Sequence, residues 1–142
     1  MFLLDTNVVS ELRRVALIDR RVAAWSKATD NGSLFLSVIS LMEIEQGILL
    51  IERRDITQGA ILRNWLRSVL LERFQGRILP FDISAARLCA AMHVPNPKPD
   101  RDSMIAATAL AHGLTVVSRN TADFVACGVS VFNPWLQDPP GP

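Results

Sequence analysis

Apolar and polar positions alternate in blocks along this chain, and the blocks predict strands and helices in turn. Phe2-Leu3-Leu4 is a short apolar run that stops abruptly on Asp5, and it reads as a buried strand. Thr6 or Asn7 is then placed to cap a helix carrying Val8, Val9 and Leu12 and ending near Arg13-Arg14. A second helix starts at Asp19, with Val22, Ala23 and Trp25 facing inward. Asp30-Asn31-Gly32 is a turn signal, and Ser33-Leu34-Phe35-Leu36 follows as a second strand. Ser37 opens a helix with apolar positions at Ile39, Met42, Ile44, Ile48 and Leu49.

Residues 55–72 form a long amphipathic segment in which Ile61, Leu62, Trp65, Leu66, Val69 and Leu70 recur at helical spacing. That stripe is expected to pack against the body of the domain or against a second subunit. Arg63, Arg67 and Arg73 lie off it, on a solvated face or as phosphate contacts. Residues 77–81 are a third strand, which Pro80 confines to a strand end or a sheet edge. A helix from Asp82 carries Ala85, Leu88, Cys89 and Met92, and His93 sits at its C-terminal end, where the helix dipole favours a cation. A structural role is expected for that histidine.

A proline-punctuated loop, residues 94–99, leads into a helix over residues 100–112. Its start is acidic, its body is small and apolar, and Gly113 stops it. Residues 114–118 are a fourth strand, ending in a polar knot that contains Asn120 and Asp123, and residues 129–132 are a fifth. Strands alternating with helices predict an α/β fold with a central, mostly parallel sheet of four or five strands and right-handed crossovers. One domain is expected over residues 1–135, followed by a proline-rich, partly disordered tail at 136–142.

Composition adds exclusions. At 142 residues the chain is long enough to bury one sizeable core. No apolar run approaches the roughly 20 residues that span a membrane, and no basic segment precedes the first strand, so neither anchor nor leader is expected. Cys89 and Cys127 sit unpaired in apolar surroundings and read as buried, reduced thiols of a cytoplasmic protein. The net charge of +1 announces no broad basic surface. Still, only Lys27 and Lys98 of the basic residues are lysines, and arginine binds phosphate bidentately and stacks on bases, which leaves RNA open as a partner.

The candidate chemistry is carboxylate chemistry. Asp5 and Asp123 follow predicted strands, while Glu43 and Asp102 sit in the early turns of predicted helices. Each has a plain alternative: Asp5 as a helix cap, Glu43 as a solvated position with Glu45 exposed on another side of the same helix. In a parallel α/β layout, strand C-termini and helix N-termini share one edge of the sheet, so all four side chains can meet in one cleft. Clustered carboxylates stay ionised only with a cation, and hard oxygen ligands with few histidines point to Mg²⁺ or Mn²⁺ rather than zinc. Such a centre suits phosphodiester hydrolysis. No GxxxxGK[ST] or GxGxxG phosphate loop and no GxSxG elbow is present.

Four stretches in order resemble the PIN-domain ribonucleases, specifically the VapC-type toxins of bacterial toxin–antitoxin systems: residues 2–10, 37–47, 102–109 and 117–124. The likeness runs from residue 2 to about Trp135. It implies a three-layer PIN-like fold and a toxin that is a Mg²⁺- or Mn²⁺-dependent endoribonuclease. Asp5, Glu43 and Asp102 would be metal-site carboxylates and Asp123 the fourth, with Thr6, Asn7, Ser118 and Asn120 in the hydrogen-bonding shell. The family usually carries threonine at the position of Ser118, which keeps the hydroxyl. Asp100 is an extra carboxylate nearby. The resemblance also implies an RNA substrate, a homodimer, and a cognate VapB-type antitoxin, with a heterotetramer or larger assembly on operator DNA. Antitoxins of this kind commonly set a basic side chain among the acidic ones.

Two other readings stay open on the sequence. One is a catalytically silent PIN-like binding module, whose usual sign is the loss of acidic positions. The other is a phosphotransfer or dehalogenase-like domain with Asp5 as covalent nucleophile. That fold typically wants a second aspartate two residues on, where Asn7 stands, and a lysine, which Lys98 between prolines supplies poorly.

Overall fold

In the computed structural model, which describes residues 1–136, five short strands form. They are β1 (Phe2–Leu4), β2 (Leu34–Ser37), β3 (Ile78–Leu79), β4 (Thr115–Val117) and β5 (Val131–Phe132). Between them run α1 (Thr6–Arg13), α2 (Arg20–Ala28), α3 (Val38–Arg54), α4 (Ile56–Trp65), α5 (Leu71–Arg73), α6 (Ile83–Met92), α7 (Asp100–His112) and α8 (Thr121–Ala126). All five strands pair in parallel, in the order β3-β2-β1-β4-β5. The expected sheet is therefore present with its full five strands. The proline-rich tail falls outside the described residues, apart from Leu136.

The strands are apolar on both faces because both faces are covered. Side chains alternate across a strand, so Leu4, Leu34, Leu36 and Val117 point to one layer, where Val8, Val9, Trp25, Ile44, Ile48 and Leu62 meet them. Leu3 and Val116 point to the other, against Ile105, Ala106, Ala109 and Phe124. The small residues of α7 let that helix lie close on the sheet, and Ala106, Ala107 and Ala109 are fully buried.

Helix starts and stops follow the sequence signals closely. Asp19, Ser37 and Asp82 each cap a helix through the side chain. Gly113 ends α7 in the left-handed conformation, φ 65°, which glycine adopts without steric cost. Of the three caps that the sequence offered for α1, Asp5 takes the role and Thr6 and Asn7 do not. The long amphipathic segment differs from expectation, since α4 runs into a widened π turn, Leu66–Leu70, before α5. Its stripe divides. Leu62, Leu66 and Leu70, four residues apart, are buried, whereas Ile61 is 56 % and Val69 51 % exposed. Gly59 lets α4 approach α3, because a Cβ there would stand 2.8 Å from the Glu52 Cα.

Off the stripe, Arg63 is neither a free nor a phosphate-directed cation: it pairs with Glu45 at 2.6 Å and Glu52 at 2.8 Å. Cys89 and Cys127 are free and buried. Among the described residues, no helix is long and apolar enough to cross a membrane.

Candidate metal centre

The sheet order places a crevice before any side chain is considered. From β1 the chain lays β2 and β3 to one side, then β4 and β5 to the other, so the order reverses between β1 and β4. Ligand crevices of open parallel sheets lie outside the strand C-termini at such a point. Leu4 pairs with Val117 there, so Asp5 and Ser118 are the first residues beyond the sheet on either side of the switch.

Asp5 uses both oxygens. Oδ1 accepts from the Thr6 N–H at 2.8 Å, while Oδ2 accepts from the Ser118 hydroxyl at 2.7 Å and from the Asn7 amide at 3.3 Å. The cap and the crevice residue are thus the same carboxylate. Ser118 Oγ in turn accepts from Asn7 Nδ2 at 3.2 Å and the Asn120 N–H at 2.9 Å, so its one proton is committed to Asp5. Glu43, on α3, accepts at Oε1 from the Thr6 hydroxyl at 2.8 Å. Asn120 donates one amide group to both Asp102 Oδ2 and Asp123 Oδ2, each at 2.9 Å. It stands at the N-cap position of α8 without a side-chain capping bond.

The electrostatics carry the mark of crowding. Asp102 is pushed up to about 6, first by burial and then by the charges of Asp5 and Asp123, an Asp123 hydrogen bond and the charge of Glu43. Burial also raises Asp5, against the Ser118 and Thr6 hydrogen bonds that favour its charged form, with Glu43 adding to the rise. Four carboxylates from separate parts of the chain therefore face one space, and their charges add to the rise of Asp5 and Asp102. Among the described residues, no three acidic, histidine or cysteine side chains are grouped so that they could hold a metal ion together. An all-oxygen, loosely set group nonetheless suits Mg²⁺ or Mn²⁺ in donor chemistry, because Mg²⁺ keeps several waters and needs only one or two direct carboxylates.

Each of the eight residues singled out in the sequence lies in this one network. Asp100 does not belong to it in the same way: it is exposed at the head of α7, and its carbonyl accepts from Ser103 Oγ at 2.7 Å. His93 keeps the structural role expected of it, but not as a cation on a helix dipole. Its Nδ1 accepts from the Lys98 N–H at 3.2 Å, which leaves the ring proton on Nε2, 3.0 Å from Ser103 Oγ. The neutral ring so ties the 94–99 loop to the first turn of α7, one residue from Asp102.

Two arginines at the rim escaped the sequence reading. Arg101 donates to Gln46 Oε1 at 2.7 Å and lies 3.7 Å from Glu43 Oε2. Arg119 donates its N–H to Asn7 Oδ1 at 3.3 Å and lays its guanidinium 4.2 Å over the Trp135 ring. Their only sequence signal was position, each next to a residue of the acidic shell.

Residues 2–126 match the PIN domain family. The VapC ribonuclease Y4jK of Sinorhizobium fredii is 39% identical over 143 residues, covering 95% of this chain and 98% of that one. Toxin FitB of Neisseria gonorrhoeae is 38% identical over 140 residues, covering 95% and 99%. The solved structure of FitAB bound to an IR36 DNA fragment superposes with a TM-score of 0.87 at 36% identity, over 97% of this chain and 98% of that one.

Proposed function

This chain belongs to the PIN domain family, and from that premise we propose that it is the toxin of a type II toxin–antitoxin pair, a Mg²⁺- or Mn²⁺-dependent endoribonuclease. The observation that carries the reading is the convergence of Asp5, Glu43, Asp102 and Asp123 at the switch point, with Asp102 raised to about 6 by burial first and then by its acidic neighbours. A group of anions that repel one another is a poor structural core and a good seat for a divalent cation. Likeness to a VapC ribonuclease and to toxin FitB supports the substrate and the role.

Asp5 and Asp102 would hold the cation, with Glu43 and Asp123 completing the site. A cation held there lowers the pKa of water and stabilises charge on the attacking and leaving oxygens of a phosphodiester. The chain's own contribution is orientation. Ser118 and Asn7 fix Asp5 Oδ2, Asn120 spaces Asp102 from Asp123, and Thr6 holds Glu43 Oε1 so that Oε2 faces Arg101. Locked ligands keep reacting groups in near-attack geometry, which is worth several orders of magnitude in rate.

A cognate VapB-type antitoxin would restrain the enzyme, and the FitAB–DNA structure supports a larger assembly on operator DNA. An apolar groove of about 270 Å³, lined by Val9, Leu12, Val15, Trp65, Val69 and Phe74, offers such a partner a seat beside α1. Self-association as a homodimer belongs to the same proposal, with cytoplasmic RNA as the target.

The reading is tested by incubating purified protein with total RNA in Mg²⁺, Mn²⁺ or EDTA, alongside Asp5→Asn. The variant keeps an oxygen to cap α1 but loses the charge. Cleavage that needs the metal and falls at least about 100-fold in Asp5→Asn is expected, since even outer-shell partners of metal ligands are worth 10–100-fold. Undiminished cleavage in EDTA would defeat the proposal.

A further inference from the structure

Arg119 stands at the rim of the acidic crevice without an acidic partner among the described residues. Its neighbours on either side are committed: the Ser118 hydroxyl donates to Asp5, and the Asn120 amide donates to Asp102 and Asp123. Its own N–H is held by Asn7 Oδ1 at 3.3 Å, so the backbone that launches the side chain is fixed on the site. The side chain, which is exposed, does not fold onto the carboxylates. Its guanidinium lies 4.2 Å over the Trp135 ring.

Arg13, Arg73 and Arg77 also lie over aromatic rings, at 6.0, 5.5 and 5.2 Å, and Arg119 packs closer to its ring than these three do. Arg14, Arg63 and Arg101 each lie within ion-pair distance of a glutamate. Among the described residues, no carboxylate pairs with Arg119, although Ser118 and Asn120 on either side of it bond three of them, Asp5, Asp102 and Asp123. Stacking engages the flat face of a guanidinium and leaves its five in-plane N–H donors free. An arginine so braced has lost much of its rotamer freedom in advance, which lowers the cost of forming a bidentate bond to an arriving oxyanion. Trp135, its face already covered, is not a base-stacking platform. The crevice itself takes the scissile group, so the anion that reaches the rim is a neighbour of it on the same strand.

We propose that Arg119, braced on Trp135, binds an RNA backbone phosphate adjacent to the scissile one and so sets the register of the strand over the carboxylates. The assignment rests on the ribonuclease reading above. It separates binding from chemistry: Arg119 acts on how the strand is seated, while the carboxylates act on the bond that breaks.

The test measures cleavage of a fluorescent single-stranded RNA by wild-type protein, Arg119→Ala, Arg119→Lys and Trp135→Phe, across a series of salt concentrations. Arg119→Ala should raise KM about tenfold with kcat changed less than about twofold, the cost of one charge-assisted contact. Its log KM should depend less steeply on log salt, by about 0.7 for one phosphate contact on a single strand. Arg119→Lys should keep the salt slope and recover part of the KM, and Trp135→Phe, which offers a smaller and weaker face to the guanidinium, should raise KM by a smaller factor than Arg119→Ala. Unchanged KM and salt slope in Arg119→Ala would overturn the inference while leaving the ribonuclease reading intact. A fall in kcat alone would also overturn it, by assigning Arg119 to the carboxylate shell, as would a loss confined to inhibition by the antitoxin. Wild-type protein that cleaves no RNA removes both readings, and the control shows it.

Discussion

Asp5 shows how much one side chain can be asked to do. One oxygen caps α1 and the other is clasped by Ser118 and Asn7, so the residue is both a fold element and the floor of the crevice. Ser118 is the hinge of that arrangement, since its oxygen also receives Asn120 N–H. Ser118→Ala should therefore reduce metal affinity or cleavage by roughly 10–100-fold, the usual cost of losing an outer-shell partner. Ser118→Thr, which keeps the hydroxyl, should restore it, and a metal titration beside a cleavage assay checks both. Asp102 makes a second prediction, on pH. Its carboxyl is raised from 3.8 to about 6, so the folded protein binds that proton more tightly than the unfolded chain does. Stability in metal-free buffer should fall as pH rises through that window and level off above it. Melting temperatures near pH 5 should thus exceed those near pH 7, and saturating Mg²⁺ should narrow the gap by relieving the repulsion. A metal-free melting temperature that rises with pH over this window would contradict the repulsion described here.

At the scale of elements, the sequence was legible wherever a local signal decided the outcome. Ser37, Asp82 and Gly113 mark helix ends by chemistry that needs no tertiary partner. The acidic stops after β1 and β4 were legible for the same reason, as was their meeting at the edge of a parallel sheet. The shell residues Ser118 and Asn120 entered only through the family resemblance. Strand lengths were less so, because β3 and β5 each pair over only two residues, a matter of register with their neighbours. The stripe of α4 was read too broadly, since periodicity fixes a face but the widened turn at Leu66–Leu70 decides which part of it reaches the core. Arg101 and Arg119 were illegible because their partners, Glu43, Gln46 and Trp135, come from other elements. Gly59 gives a test at this scale. Its hydrogen faces the Glu52 backbone, where a Cβ would sit at 2.8 Å, so Gly59→Ala should force α3 and α4 apart. The expected loss is about 1–3 kcal/mol in urea unfolding, against the small gain that Gly→Ala brings to an unhindered helix.

For the whole molecule, five parallel strands and their crossovers exist to bring four distant carboxylates to one edge. The core that supports them is apolar on both faces of the sheet, and the repulsion is confined to the crevice. On the proposed reading such a protein should be less stable empty than loaded, because a cation that binds only the folded state adds stability by mass action. The most direct measurement is a Mn²⁺ titration of the intact protein and of Asp102→Asn, followed by calorimetry and by thermal unfolding. The account predicts saturable binding and a rising melting temperature for wild type. It predicts that Asp102→Asn, relieved of one charge, melts higher than wild type without metal and gains little from adding it. Equal Mn²⁺ affinity in the two proteins, or no binding by wild type, would contradict the claim that these carboxylates form a metal centre.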